Sequence, residues 1–485
     1  MEDLILALYA LALAILSISG IHSLIMVYYY RKTAKLPLKQ PPPLQDFPMV
    51  TVQLPIYNEY YVVERLLRAV CALDYPRERL EIQVLDDSTD ETTELLERLC
   101  AEYRQQGFTI ELLRRGSREG YKAGALRYGL ERARGEFIAI FDADFVPRPD
   151  FLRRTLPYFA DPKVGMVQTR WEHLNEDYSF LTRAQALSLD GHFAVEQTVR
   201  YRAGFFINFN GTAGVWRREC ILDAGNWHAD TLAEDLDLSY RAQLRGWRFV
   251  FLPDVTTPAE LPVDINALKM QQYRWTKGAV EVARKLLPEI WRSALPLRIK
   301  IEATVHLTSN LVFPFILLVA LLNVPVVILK NTLEGYDGYF TALSVFVLAG
   351  IGTFLFYLYA QRAVHWDWQR RLLLFPIFLA GSMGFAVNNT RAVIEALLGK
   401  RTEFVRTPKY HVLSRQDRWQ DKKYVPRRLQ PLVLAELALG LYFLVGMGIS
   451  LYHAELAALP FQAMFFLGFA GVGVLSLRHS LQRRA

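Results

Sequence analysis

Cysteine is scarce in this chain: Cys71, Cys100 and Cys220 are the only three among 485 residues. They form no CxxC or Cys/His pattern, and an odd count spread over a large domain gives no disulfide framework, which suits a reducing cytosol. The amino terminus lacks the basic start of a cleaved signal peptide. Glu2 and Asp3 come first, and Arg31, Lys32, Lys35 and Lys39 follow the opening apolar run instead. Internal repeats, low-complexity tracts and nucleic-acid-binding modules are also missing. The net charge of +7 therefore points away from nucleic acid, and the basic residues crowd beside apolar segments, where anionic lipid headgroups are the natural partner.

What is abundant is hydrocarbon. A hydrophobic content of 52% and a mean hydropathy of +0.11 place the chain among membrane proteins rather than wholly soluble ones. Leu4–Tyr30 is long enough to cross a hydrocarbon core of roughly 30 Å, and the charges on either side orient its amino terminus outward. Residues 31–46 then read as a linker, Pro-rich from Pro37 to Pro48, leading into a polar domain at 47–301. Residues 302–485 form a second membrane region with spans expected at Thr304–Leu329, Tyr339–Ala360, Leu432–Tyr452 and Leu456–Leu477. A crossing at Leu372–Leu398 would strand the basic stretch Gly399–Pro431 outside, against the positive-inside bias, so that segment reads as interfacial or re-entrant. Five spans remain, with the polar domain and the tail residues Arg478, Arg483 and Arg484 in the cytosol.

In the polar domain, strand-like runs at Val50–Leu54, Ile82–Leu85, Thr109–Leu113 and Phe137–Phe141 alternate with helical patterns at Glu59–Leu73, Glu91–Gln106 and Lys122–Arg134. That alternation predicts an α/β, doubly wound, mainly parallel sheet, with ligands at the carboxyl ends of its strands. QLPIYNE, DDSTD and DAD fall at such ends. In DDSTD, Ser88 and Glu91 fit a capping box that merely starts a helix, which leaves Asp86 and Asp87 free to meet the ring N–H and ribose hydroxyls of a nucleoside. DAD is either a turn before Pro147 or a pair of carboxylates, Asp142 and Asp144, that bring hard oxygens to one divalent cation, Mg²⁺ or Mn²⁺. AED is either an acidic first helical turn or the setting of a general base, Asp235, beside Glu234. In QQYRW, Gln271, Arg274 and Trp275 share one helical face. Trp275 then serves as an interfacial anchor or as a platform for a sugar ring, and Arg274 as a fork for diphosphate oxygens.

With VQLPIYNE, LDYPRERLEIQVLDDSTDET, GYKAGAL, FDADFVPRPDFLRRTLPYF, FNGTAGVWR, AEDLDLSYRAQLRGW and QQYRW in order, the chain resembles the processive family 2 glycosyltransferases of the cellulose synthase superfamily. It looks most like their cellulose-synthase-like A branch, the mannan and glucomannan synthases. The resemblance implies a GT-A fold inserted between transmembrane helices and inversion at the anomeric carbon. It puts Pro55, Tyr57, Glu59, Asp86, Asp87 and Lys122 around the nucleotide, Asp142 and Asp144 on the metal, and Asp235 as base beside Glu234. Gln271 and Arg274 would lie on the donor, with Trp275 and Gly211 on the acceptor. FVRTPK resembles the loop that closes over the nucleotide, with Phe404, Thr407 and Lys409 kept and Arg406 in place of the usual Val. Ala233 likewise stands where Thr often precedes the acidic pair, and no cyclic-nucleotide-binding module accompanies the chain.

The implied activity is transfer of a hexose from GDP-mannose or UDP-glucose to a growing mannan, glucomannan or glucan that is exported, in a plasma or inner membrane or, for a plant-like protein, the Golgi. Two alternatives stand beside it. A glycolipid synthase would add one or few sugars to a lipid acceptor, and a non-catalytic membrane scaffold or transporter would need the spans but not DAD and AED together.

Overall fold

The computed structural model describes residues 2–34, 36–37, 41–425 and 430–481. Lys35, Lys39, Arg483 and Arg484, read above as cytosolic charge, lie outside the described residues. The polar domain is built on a seven-stranded sheet of β1 (Val50–Ile56), β2 (Leu80–Asp86), β3 (Thr109–Arg114), β4 (Phe137–Ile140), β5 (Val164–His173), β6 (Gly214–Arg217) and β7 (Arg248–Ala259), in the order β3-β2-β1-β4-β6-β5-β7. β1 runs parallel to β2 and β4, β2 to β3, and β5 to β7, whereas β6 is antiparallel to both of its neighbours. The first four strands match the expected runs. The other three escape the alternation because β5 and β7 carry many polar residues and β6 spans only Gly214–Arg217.

Val50, Val52, Leu54 and Ile56 of β1 are all buried, as are Leu80, Ile82 and Val84 beside them, because helices cover the sheet. The strand centre still carries polar side chains, and these pair across the strands: Thr51 donates to Glu81 (2.6 Å) and Gln53 to Gln83 (3.0 Å). Register places Ile56 opposite Asp86 and Gln53 opposite Ile140, so the turns after β1, β2 and β4 emerge side by side at one sheet edge.

The helices start later or end sooner than the patterns predicted: Val63–Cys71, Thr92–Gln105 and Tyr121–Arg132. The capping box expected of Ser88 and Glu91 does not form. Ser88 Oγ accepts the Asn58 backbone N–H instead (2.9 Å), and Asp90 Oδ1 accepts that of Thr92 (3.0 Å). The side chain that was to cap the helix ties the turn after β2 to the turn after β1.

Among the described residues, five helices are long and apolar enough to cross a membrane: Glu2–Thr33, Leu297–Thr332, Asp337–Val364, Leu432–Tyr452 and Leu459–Leu481. Trp368–Gly384 and Ala386–Leu397 form a pair bent by 44°, which makes a sixth if both arms are one broken span. Glycines let these helices touch. A Cβ at Gly384 would lie 2.3 Å from the Gly468 carbonyl oxygen, and one at Gly468 2.2 Å from that of Ala380.

The helix Ile265–Arg292, which carries QQYRW, joins the two regions. Asp264 caps it by accepting the Asn266 N–H (3.1 Å) and meets His479 of the last helix (3.1 Å). Lys269, fully buried, pairs at 2.6 Å with Glu436, equally buried in Leu432–Tyr452.

Candidate active site

The turns after β1, β2 and β4, the start of helix Glu234–Leu244, the QQYRW face and the loop around Thr407 enclose one cleft of about 190 Å³. Pro55, Tyr57, Glu59, Asp87, Lys122, Asp142, Asp144, Gly211, Glu234, Asp235, Gln271, Arg274, Trp275, Thr407 and Lys409 all line it. Asp86 alone among the expected residues does not. It is buried beneath the cleft, where Oδ1 accepts the Ser88 N–H (2.9 Å), Oδ2 accepts the Thr93 hydroxyl (2.8 Å) and Arg114 pairs at 3.2 Å. Its place is to shape the turn that presents Asp87.

The two carboxylates of DAD are each matched by a lysine. Lys122 Nζ lies 2.5 Å from Asp142 and donates to the Gly211 carbonyl (2.9 Å), and Lys409 Nζ lies 2.7 Å from Asp144 while also donating to the Glu260 carbonyl. Burial works against the Lys122 charge, but Asp142, Glu234 and Asp235 outweigh it and raise its pKa. Two ammonium groups thus meet hard carboxylate oxygens in the cleft, and the same donor set suits a divalent cation. Thr407 Oγ1 is buried without a hydrogen-bond partner among the described residues, a polar atom that a bound ligand would satisfy.

Asp235 is the second residue of its helix, and its carboxylate faces Gly211. Burial first, then the adjacent Glu234, pushes its pKa to about 7, with Lys122 opposing. Gly211 has φ +80°, and a Cβ there would sit 2.9 Å from Asp235 Oδ2. The acidic first helical turn of the simpler reading is therefore present, and two of its residues, Glu234 and Asp235, line the cleft. Arg274 lies over the Phe404 ring, its guanidinium carbon 4.4 Å from the centroid, and Phe404 stacks on Tyr121 (6.0 Å).

Several residues in and beside the cleft had no role assigned from the sequence. Arg115 forks onto Asp87 (2.9 and 2.5 Å), Arg118 lies 3.4 Å over the Tyr57 ring, and Glu260 accepts from Arg65 (3.1 Å) and the Tyr410 N–H (2.9 Å). Arg406 pairs with Glu59 (3.1 Å), whose pKa burial lifts to about 8 while that guanidinium opposes the shift. Arg115 and Arg118 sit in the LLRRGSREG run before GYKAGAL, a cluster that reads as ordinary surface charge until the turn folds back. Outside the cleft, His228, Asp230 and Asp237 converge, but Lys285 already bridges both carboxylates (2.9 and 2.8 Å).

Residues 48–278 match the profile of the glycosyltransferase-like family 2. Glucomannan 4-β-mannosyltransferase 2 of Arabidopsis thaliana is 46% identical over 253 residues, 51% of this chain and 47% of the relative. The chain thus spans about half the length of that relative and of several like it. Glucomannan 4-β-mannosyltransferase 9 of the same plant aligns further, 34% identical over 454 residues that cover 89% of this chain and 82% of the relative. Among solved structures, the mannosyltransferase PcManGT of Pyrobaculum calidifontis, in complex with GDP-Man and Mn²⁺, superposes with a TM-score of 0.58 at 21% identity, over 81% of this chain and all of the other. The mostly parallel mixed sheet is accordingly the GT-A glycosyltransferase fold. Fold, ordered motifs and an alignment running through both the polar and the membrane regions agree: the chain belongs to the family 2 glycosyltransferases.

Proposed function

We propose that the protein is an inverting, membrane-embedded β-mannosyltransferase of the cellulose-synthase-like A type, which elongates a mannan or glucomannan from GDP-mannose. The observation that carries this reading is the pairing, in one cleft, of a buried carboxylate poised near neutrality, Asp235, with the DAD carboxylates and the Gln271–Arg274–Trp275 face. The mannosyl preference is supported by the curated relatives, which are named glucomannan 4-β-mannosyltransferases.

In the reaction, the acceptor hydroxyl oxygen bonds to the anomeric carbon from the face opposite the diphosphate. The bond from that carbon to the diphosphate oxygen breaks, and the hydroxyl proton passes to Asp235. Gly211 and Lys122 hold Asp235 and Asp142 apart in their separate tasks. Trp275 carries the acceptor sugar on its ring face, Arg274 meets the diphosphate, and Thr407 and Lys409 close the loop over the nucleotide. Asp142 and Asp144 would hold Mg²⁺ or Mn²⁺, which supplies positive charge to the departing diphosphate. The polar domain and the stretch 399–431 face the cytosol in this reading, with Leu372–Leu398 at the interface.

The test is to incubate the full chain, purified into lipid vesicles, with Mg²⁺ or Mn²⁺ and radiolabelled GDP-mannose or UDP-glucose, and to size the product. Label from GDP-mannose in a β-mannanase-sensitive polymer is expected. Turnover of UDP-glucose alone would overturn the mannosyl assignment, and no turnover of either would favour a non-catalytic membrane protein.

A further inference from the structure

Arg406 lines the catalytic cleft, and among the described residues neither its Nη1 nor its Nη2 donates a hydrogen bond. Nη1 stands 3.1 Å from Glu59 Oε2, close enough for the charges to attract but out of line for a hydrogen bond, so Oε2 is left without a donor as well. The two side chains are only 12% and 13% exposed, which makes three unmet polar atoms costly. The guanidinium also lies over the Tyr424 ring, 4.3 Å from the centroid, and the Tyr424 hydroxyl donates to Asp90. Arg406 is thus held between the turns after β1 and β2, where the nucleoside is expected.

Charge and hydrogen-bonding pattern decide what would complete the pair. Arg406 and Glu59 together carry no net charge, which suits a neutral polar ring better than a diphosphate. Along their shared edge, the free groups are two N–H donors followed by a carboxylate. Guanine carries the complement: the acceptors N7 and O6, then the donors N1–H and the 2-amino group. Uracil offers the guanidinium one carbonyl and turns a second carbonyl toward the carboxylate, and adenine sets its amino group against an arginine N–H. Burial favours the neutral form of Glu59, and two N–H donors from a base would restore the carboxylate. The cleft of about 190 Å³ is smaller than the roughly 300 Å³ at which small-molecule sites begin. Residues 400–413 form neither helix nor strand, so the stretch bearing Arg406 is the part that can yield to admit a base.

We propose that Arg406 and Glu59 read the guanine ring of the donor, the guanidinium on N7 and O6 and the carboxylate on N1–H and the amino group. The pair thereby selects guanosine over uridine diphosphate sugars. The inference rests on the glycosyl-transfer reading above and names the residues that choose its donor.

Nucleotide binding tests this without any transfer step. The full chain in phosphatidylcholine vesicles with Mn²⁺ is titrated calorimetrically with GDP, UDP and two guanine analogues. Inosine diphosphate lacks the amino group, and 7-deazaguanosine diphosphate has C–H in place of N7. Wild type is expected to bind GDP tighter than UDP by on the order of 10-fold or more, the scale of one bidentate contact to a base. Each analogue should bind about 5-fold less tightly than GDP, the scale of one net hydrogen bond. Arg406→Val should lose on the order of 10-fold for GDP but less than about 3-fold for UDP, and should bind GDP and its 7-deaza analogue alike. Arg406→Lys keeps the charge without the fork and should resemble it. A thermal melt accompanies each variant, and if one fails to fold the analogues on wild type still decide. Equal losses for GDP and UDP would make Arg406 a diphosphate contact and overturn the proposal. Wild type that binds all four nucleotides alike, or prefers UDP, overturns it without any variant. Either result leaves glycosyl transfer standing if radiolabelled sugar still reaches an acceptor. Wild type that binds no nucleotide and transfers no sugar overturns the transfer reading and the base reading together.

Discussion

Gly211→Ala is the sharpest probe of the carboxylate proposed as base, because the substitution adds one methyl group at a known distance from it. The residue has φ +80°, where a side chain costs about 1–2 kcal/mol, and its new Cβ would lie 2.9 Å from Asp235 Oδ2 but 3.4 Å from Lys122 Nζ. The lysine contact is tight yet bearable, whereas the carboxylate has to retreat by about 0.5 Å to reach ordinary contact. A displacement of 1 Å at a reacting group can cost 10²-fold, so half of that should lower kcat by on the order of 10-fold. Donor affinity should stay within about 3-fold, because Lys122 and Asp142 hold their places on this scale of movement. Initial rates of radiolabelled sugar transfer give kcat, calorimetric titration gives the donor Kd, and a thermal melt should show a midpoint lowered by only a few degrees. A variant with wild-type kcat would show that the Asp235 carboxylate can move freely without consequence, and the assignment of the base would fall.

Asp235 accepts a proton only when ionised, and its pKa is raised to about 7, so kcat/KM should climb through that pH as the base form accumulates. Glu234→Gln removes a neighbouring negative charge and should move this acid limb to lower pH, and a limb that stays in place would point to another titrating group. Asp142→Asn and Asp144→Asn should each abolish the metal dependence of donor binding in a Mn²⁺ titration, and an unchanged titration would move the metal elsewhere. Trp275→Ala should cut transfer on the order of 10² or more while leaving the donor Kd nearly intact, and an equal loss of both would make Trp275 a donor contact. Cysteine labelling of intact cells should leave single cysteines placed in 399–425 unmodified, whereas labelling from outside would turn Leu372–Leu398 into a crossing helix.

The strands that lead into the cleft were legible because β1, β2 and β4 are buried on both faces, and Val/Ile-rich runs such as VTVQL and FIAIF announce that. The half of the sheet beyond β4 was not. Antiparallel β6 is too short for any period, and polar residues in β5 and β7 hide their strand character. Motif order located nearly the whole cleft, because each motif follows a strand or opens a helix at one edge. Chain order alone could not separate Asp86 from Asp87. Adjacent residues at a strand end point opposite ways, and only the fold shows that Thr93 and Arg114 claim the first while Arg115 forks onto the second. The pairings of Arg118, Glu260 and Arg406 were invisible for a related reason: these residues meet Tyr57, Lys409 and Glu59 across long sequence separations that no local pattern records.

The buried pair of Lys269 and Glu436 ties the helix bearing Trp275 to a helix long and apolar enough to cross the hydrocarbon layer, and removing one partner would leave the other charge stranded at a cost of about 3–5 kcal/mol. Such a rivet sets a depth as well as an attachment. When a bilayer is thicker or thinner than the Leu432–Tyr452 span, that helix tilts to match, and the rivet obliges the Trp275 helix to tilt with it. On the proposed reading, membrane thickness thereby becomes a mechanical input to sugar transfer, felt at the Trp275 face.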